Sequence, residues 1–345
     1  MVHAANVIKK REMTLQEQDI MYMRRCIQLA RCGSEGAAPN PMVGAVVVCE
    51  GRIIGEGYHR RCGGPHAEVN AISSVREPDK LPHSTIYVSL EPRAHYGKTP
   101  PCADLIIEKR IPRVVVGCMD PFAKVNGLGI KKLRDAGAEV CVGVLEQECI
   151  HLNRRFMTFH RHHRPWITLK WAQSADGYID RKRTPQEPAT CFSTPYTQVL
   201  VHRLRAQNMA IMVGTDTVLC DNPTLTNRLW PGGNPLRVTI DRHGRIPADV
   251  HLLDGSVPTQ VYHNETLVEI VADLHQRGVQ SLLVEGGSRL LQSFIDEGLW
   301  DEARVEEAPC LLAEGVKAPV LSGMRLMERQ QVDGRWISSY ERAGQ

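Results

Sequence analysis

The sequence predicts an α/β protein built as two domains, and three observations predict it. At 345 residues the chain exceeds what one hydrophobic core comfortably serves. From Thr14 to Val144, helical spacing of apolar residues alternates with short β-branched runs. After a His- and Arg-rich stretch, strand and helix patterns begin again at Pro165. The expected organisation is a first domain over 1–150, a connector over 151–164 and a second domain over 165–345.

Thr14-Leu15-Gln16-Glu17 has the form of a capping box, and Ile20, Met23, Ile27 and Ala30 follow at spacings of three and four, so a helix ends near Gly33. Ala45 to Val48 and Arg52 to Tyr58 read as strands turned at Glu50-Gly51. Asn40, bracketed by Pro39 and Pro41, is turn chemistry by itself. A helix led by His66 and Glu68 comes next, then a strand from Thr85 to Leu90, a helix opening at Cys102 and a strand from Arg113 to Gly117. A helix from Gly129 to Ala136 closes at Gly137, before a strand from Val140 to Val144. Layers of this type form pockets at the carboxyl ends of their strands, here Leu90-Glu91 and Met119-Asp120. In the connector, His160, His162 and His163 have no carboxylate or Cys at ligand spacing. A solvated basic segment is expected there, with Phe156 and Phe159 marking a part that packs as helix.

The second domain opens with an extended run, Trp166 to Ala172, that carries Lys170 among apolar residues. A buried ammonium needs a partner, a carboxylate or a phosphate. A helix over His202 to Ala206 leads to a strand from Ala210 to Val213, which ends in Gly214-Thr215 before a polar turn reaching Pro223. Exposed amides at such a strand end can meet phosphate. Leu236 to Asp241 and Ser281 to Val284 read as further strands, the latter running through Glu285-Gly286-Gly287-Ser288 into a helix over Arg289 to Ile295. Two glycines there let backbone approach a pyrophosphate, or simply make a tight turn. The Gly-x-Gly-x-x-Gly fingerprint of a Rossmann domain is absent.

Composition narrows the function classes. With 42% hydrophobic and 23% charged residues the chain reads as ordinary globular protein, and 42 basic against 39 acidic residues do not argue for nucleic acid. Only 18 Phe, Trp and Tyr also speak against a base-stacking groove for RNA. No apolar run approaches a membrane span and Met1 to Arg11 has no signal-peptide core, so a cytoplasmic protein is expected. Eleven cysteines without paired spacing suit a reducing compartment.

The stretch with the most chemistry runs from His66 to Cys102. His66-Ala67-Glu68 has the spacing in which a His binds zinc and a Glu shuttles protons without binding it. Thr99-Pro100-Pro101-Cys102 opens a helix whose positive end favours a thiolate. With Asn40-Pro41-Met42-Val43-Gly44-Ala45 before it, this stretch resembles the deaminase half of the bifunctional riboflavin-biosynthesis deaminase-reductase. In that family the loop reads Cys-Ser-His-x-Gly-x-Thr-Pro-Pro-Cys, so Arg93 and Ala94 are adjacent departures here. The second half resembles the reductase of the same family through Lys170-Trp171-Ala172-Gln173-Ser174-Ala175-Asp176-Gly177, Leu204-Arg205-Ala206, Thr217 to Pro223 and Val284-Glu285-Gly286-Gly287, in that order.

The resemblance implies a cytidine-deaminase-like three-layer α/β/α domain followed by a dihydrofolate-reductase-like α/β domain. It implies zinc on His66 and Cys102, with Glu68 as the proton carrier. Asn40, His95, Lys98 and Asp120 would contact a phosphoribosylaminopyrimidine. In the second domain, Gln173, Cys191, Thr217, Asp221, Glu285, Gly286, Gly287, Ser288 and Arg289 would line NADPH. Lys170, Arg205, Leu225 and Arg228 would hold the substrate, and Asp221 would be the acidic residue beside the reaction. A homodimer through the reductase half is implied as well. Ligand counting adds an expectation of this chain's own, because a guanidinium cannot ligate zinc. Arg93 should leave zinc below one per chain and stabilise the Cys102 thiolate instead. A reductase with the deaminase half as metal-poor scaffold is the alternative reading; a nucleotide- or RNA-binding protein on a deaminase fold is the remoter one.

Overall fold

The computed structural model describes residues 13–94, 100–122, 125–184 and 187–343. The chain divides into two compact units, 1–157 and 158–345.

The first unit begins with α1 (Leu15–Arg31), where the Thr14 hydroxyl accepts from the Glu17 amide and Glu17 accepts in return from the Thr14 amide. There follow β1 (Gly44–Cys49), β2 (Arg52–Tyr58), α2 (Ala67–Ser73), β3 (Thr85–Leu90), α3 (Cys102–Glu108), β4 (Arg113–Cys118), α4 (Leu128–Asp135), β5 (Glu139–Val142), α5 (Glu146–Leu152) and α6 (Arg154–His162). The sheet order is β2-β1-β3-β4-β5. β3, β4 and β5 are parallel, whereas β1 runs against both its neighbours. Strand alternation sorts the core into two faces. Val47, Val88 and Val116 pack with Ala71, Ile106 and Leu133 of α2, α3 and α4. Val46, Tyr87 and Val115 pack with Met23, Ile27 and Cys149 of α1 and α5. Three layers result, as expected.

At the carboxyl end of β3, Glu91 is buried and holds the start of α4. Its Oε1 accepts from the amides of Gly129 at 3.0 Å and Ile130 at 3.3 Å, and its Oε2 from those of Gly127 at 2.9 Å and Asp120 at 3.3 Å. The carboxylate thus satisfies orphan donors of a helix end and meets the positive end of its dipole. Gly129 permits this closeness, since a Cβ there would lie 1.8 Å from the carbonyl oxygen of Pro92.

The stretch expected to be a solvated connector with a helical part at Phe156 and Phe159 is helical over most of its length. α5 and α6 occupy most of it, Phe156 and Met157 are buried, and the division between the units falls within α6. The Phe159 ring lies 4.3 Å from that of His275, so apolar side chains there hold the segment down.

The second unit comprises β6 (Trp166–Ser174), β7 (Tyr178–Asp180), α7 (Pro195–Gln207), β8 (Ala210–Val213), α8 (Thr215–Asp221), β9 (Leu236–Ile240), β10 (Thr259–Tyr262), α9 (Leu267–Gln276), β11 (Ser281–Glu285), α10 (Ser288–Asp296), β12 (Glu302–Ala308), β13 (Val316–Lys317), β14 (Met324–Val332) and β15 (Arg335–Arg342). Eight strands form one sheet in the order β10-β9-β8-β11-β6-β12-β15-β14, parallel from β10 to β12 and antiparallel beyond. Ile167, Leu169 and Trp171 face the core made with α9 and α10. Alternation therefore turns Lys170 to the opposite face, which explains a lysine in an apolar strand. Arg164 closes the base of β6 through both nitrogens to Asp301, each at 2.6 Å. Two expectations need correction: residues after Gly214 form the helix α8 rather than a polar turn, and α7 begins at Pro195, seven residues before His202. Thr194 and Thr197 cap α7 reciprocally, a signal present in the sequence.

No helix among the described residues is long and apolar enough to cross a membrane. Glu91→Ala should destabilise the protein by about 2–4 kcal/mol, because a buried charged acceptor is lost and its donors are left unpaired. Urea unfolding of the full chain, followed by circular dichroism, measures it; a loss under about 0.5 kcal/mol would mean that water replaces the carboxylate without cost.

Candidate active sites

In the first unit, α2 brings His66 and Glu68, and the first turn of α3 brings Cys102, to the end of β3. Ligand atoms of these three lie within 4.8 Å of one another. His66 Nδ1 is 3.2 Å from Cys102 Sγ, close to the roughly 3.5 Å that two ligands of one tetrahedral zinc would span. Two corners of a metal seat are therefore present. The Arg93 guanidinium lies 2.5 Å from the other ring nitrogen, His66 Nε2.

That contact sets the protonation pattern behind it. A guanidinium only donates, so Nε2 must accept and the ring proton sits on Nδ1. Nδ1–H then donates to Cys102 Sγ at 3.2 Å. Burial and the Arg93 charge lower the His66 pKa to about 4, which keeps the ring neutral. Burial, and then Glu68, push the Cys102 thiol far up, with Arg93 only a minor opposing influence. The expected thiolate is thus corrected: Arg93 pairs with the imidazole, not the sulfur, and the apolar surroundings of a nearly inaccessible Sγ favour the neutral form. Burial also raises the Glu68 pKa. His66 and Cys102 supply two protein donors and the Arg93 guanidinium cannot supply another, so this donor set does not fit a three-ligand zinc site.

Asn40 stands nearby, its Nδ2 donating to His59 Nε2 at 3.0 Å, and His59 packs edge-on to His66 with ring centres 5.4 Å apart. His59 was not singled out from sequence, where nothing but its position after β2 marks it. Asp120 is buried at the end of β4. Its Oδ1 accepts from the Phe122 amide at 2.8 Å, and burial raises its pKa to about 6. His95 and Lys98 lie outside the described residues.

In the second unit, the carboxyl ends of β6, β8 and β11 open on a cavity of about 890 Å³. Lys170, Cys191, Arg205, Thr217, Asp221, Leu225, Arg228 and the run Glu285 to Arg289 all line it. Gln173 does not; its Oε1 accepts from Trp171 Nε1 at 2.7 Å. Arg205 holds Glu285 through both carboxylate oxygens, at 2.7 and 3.1 Å, and gives a third bond to the Thr226 carbonyl. Burial would raise the Glu285 pKa, but Arg205 and then Lys170 outweigh it and hold the carboxyl low. Lys170 pairs in register with Glu285 on β11 and Arg304 on β12. Its pKa is lowered by burial, with Arg205 and Arg304 adding to this and Glu285 and Glu306 opposing. The carboxylates whose charge Lys170 feels are Glu285 and Glu306.

Gly286 and Gly287 stand at φ of 84° and 79°, and a Cβ on Gly287 would come within 3.2 Å of Thr217 Oγ1. The nine-residue α10 starts immediately after them, with Arg289 nearly fully exposed at its first turn. Leu225, buried at φ 52°, is a bulky residue in the left-handed region against the cavity. Sequence reasoning missed Arg183. Its side chain is almost inaccessible and holds Asp180, Asp221 and the carbonyls of Glu187 and Cys220. The run Asp180-Arg181-Lys182-Arg183 gave no sign of which cation would turn inward.

Comparisons with known proteins agree with this division. Residues 16–118 match the cytidine and deoxycytidylate deaminase zinc-binding region, and residues 165–333 match the RibD C-terminal domain. Riboflavin biosynthesis protein RibD of Aquifex aeolicus is 38% identical over 337 residues, covering 91% of this chain and 93% of its own. That of Escherichia coli is 35% identical, covering 87% and 90%. The crystal structure of a diaminohydroxyphosphoribosylaminopyrimidine deaminase/5-amino-6-(5-phosphoribosylamino)uracil reductase from Thermotoga maritima superposes with a TM-score of 0.86 at 34% identity, over 96% of this chain and all of that one. Acinetobacter baumannii RibD gives the same score at 30% identity, over 94% and 99%. With relatives matched over nearly their full lengths and a deaminase-type unit joined to a reductase-type unit, the chain belongs to the RibD riboflavin-biosynthesis family of bifunctional enzymes.

Proposed function

We propose that the second unit reduces a deaminated phosphoribosylaminopyrimidine with NADPH, converting the ribosyl group to ribityl phosphate. The observation that carries this reading is the cavity, which gathers Lys170, Arg205, Asp221, Arg228 and the Gly286-Gly287 turn. That turn and the start of α10 suit a dinucleotide phosphate: the backbone is bare of side chains, and Arg289 stands beside it. NADPH, when bound, supplies the hydride for the ribosyl carbon. Lys170 and Arg228 favour the anionic substrate by charge, and Arg205 keeps Glu285 ionised beside Lys170. Asp221, fixed by Arg183, offers a carboxylate to the positive charge that develops at the ribosyl carbon as the sugar ring opens. The first unit keeps the deaminase frame with Glu68 in place, but its hydrogen bonds stand where metal bonds would be required.

The protein acts in the cytoplasm in this reading, as a homodimer through the reductase unit. β14 supports the dimer. It is an edge strand exposed along nearly all its length, and it presents Met324, Leu326 and Met327.

NADPH oxidation followed by absorbance with the deaminated substrate tests the reductase, and absence of both binding and consumption would overturn it. Asp221→Asn should lower kcat by about 10²-fold or more. Lys170→Ala should act mainly on KM. Because the Lys170 pKa is lowered, its charge is present below that value and lost as pH rises through it, earlier than for an ordinary lysine. KM for the phosphorylated substrate should therefore climb on the alkaline side, and Lys170→Arg should flatten the climb. Metal analysis of the purified chain should find zinc well below one per chain, with Arg93→Cys, combined with Ala94→Ser, raising it toward one. Stoichiometric zinc in the unmodified chain would require a third donor from the loop that carries His95.

A further inference from the structure

Two side chains of α7, His202 and Arg205, stand one turn apart on the same face of the helix, and both line the cavity. Between them they hold the loop over 224–228, which carries Leu225 and Arg228. Arg205 Nη1 donates to the Thr226 carbonyl at 3.2 Å, and the Arg228 amide donates to His202 Nδ1 at 2.9 Å. The amide between these two points, that of Asn227, donates to Asn234 Oδ1 at 2.7 Å. Arg228 Nη1 turns back on the Thr226 hydroxyl at 2.8 Å and on the Thr224 hydroxyl, so the guanidinium is placed by the backbone beneath it. The same loop keeps Leu225 at a φ of 52°, a conformation that a bulky residue holds only when its surroundings fix it.

One of these bonds differs in kind from the rest. A backbone amide only donates, so His202 Nδ1 must offer a lone pair, which puts the ring proton on Nε2 and requires a neutral imidazole. Guanidinium and amide groups keep their hydrogen-bonding sense across the physiological pH range, whereas an imidazolium has no lone pair to offer. Protonation would leave the Arg228 amide facing a donor, at a side chain only 6% exposed. We propose that His202 is a positioning residue for the substrate, whose neutral ring fixes the backbone of Arg228 and thereby sets the acid limit of substrate binding. The proposal rests on the reading of the second unit as a reductase that holds its substrate through this loop. Groups around the ring set where the limit falls. Burial, then Arg205 and Arg228, lower the His202 pKa, with Glu285 on β11 and the Asn227 side chain opposing. The ring is therefore neutral above a value lower than that of an ordinary histidine, and the bond is lost as pH falls through it.

KM for the deaminated phosphoribosylaminopyrimidine, measured on the full chain between about pH 8 and about pH 5 at saturating NADPH, tests this. In the unmodified chain KM should rise at least about tenfold toward acid, the factor expected when a buried donor loses its acceptor. His202→Ala should raise KM by a similar factor at every pH, with no acid limb from the ring. His202→Gln, whose amide oxygen accepts at any pH, should recover most of that loss near neutrality and stay flatter in acid than the unmodified chain. The substrate phosphate titrates at about pH 6 in all three cases, so the differences among them belong to the ring. NADPH binding, followed by fluorescence, should be alike in the three proteins and reports that the variants are folded; should His202→Ala fail to bind it, His202→Gln alone decides. An unmodified chain whose KM stays flat into acid, a His202→Gln profile with the full acid limb, or a folded His202→Ala variant with unchanged KM overturns the proposal. Absence of NADPH consumption at every pH would instead sink the reading of the second unit, and this proposal with it.

Discussion

Because a guanidinium donates and cannot accept, placing Arg93 against His66 dictates the direction of each hydrogen bond behind it. The imidazole must accept on Nε2 and must then donate from Nδ1 to Cys102 Sγ. One residue thereby fixes the His66 tautomer and the sense of its bond to Cys102. The two presumed ligands find a partner in one another, and the second His66 nitrogen is satisfied by Arg93.

The second unit solves the opposite problem, with cations and anions brought together on one face of a sheet whose other face is apolar core. Lys170 lies between Glu285 and Arg304 in register, and Arg205 approaches Glu285 from α7. Neither carboxylate nor ammonium would tolerate burial alone. As a set their charges offset one another's burial, and the cations among them outnumber the carboxylate where the parallel strands end. The carboxyl edge of a parallel sheet, with short connections and a helix start, is where such groups converge in α/β folds.

Much of this was legible in the sequence where local rules and tertiary structure coincide. The capping box at Thr14, the strands at Arg52–Tyr58 and Ala210–Val213 and the helix after Gly286-Gly287 stand as their patterns indicate. The departures are of one kind. α8 carries Thr, Asp and Cys, whose propensities suggest a turn, and it is helical because Val218 packs into the core. The connector is basic, but Phe156 and Met157 bury it. Side-chain pairings were less legible still. That Arg93 sits where a ligand should be follows from spacing, yet its choice of imidazole over sulfur depends on the depth of Cys102. Arg183 and Glu91 have no motif, because their partners are brought to them only by the fold.

Charge balance explains why a deaminase frame can hold an arginine in this seat without losing its shape. A dication with two thiolates and the Glu68 carboxylate leaves one negative charge, and a guanidinium with that carboxylate leaves none when the thiol and imidazole stay neutral. A lone arginine facing a lone thiol would instead leave an uncompensated charge against the buried walls of α2 and α3. The layers around it do not need metal to cohere: Val47, Val88, Val116, Ile106 and Leu133 are all fully buried, each contributing roughly 1.5–3 kcal/mol. The substitution therefore removes a metal donor while leaving the forces that hold the unit together where they were.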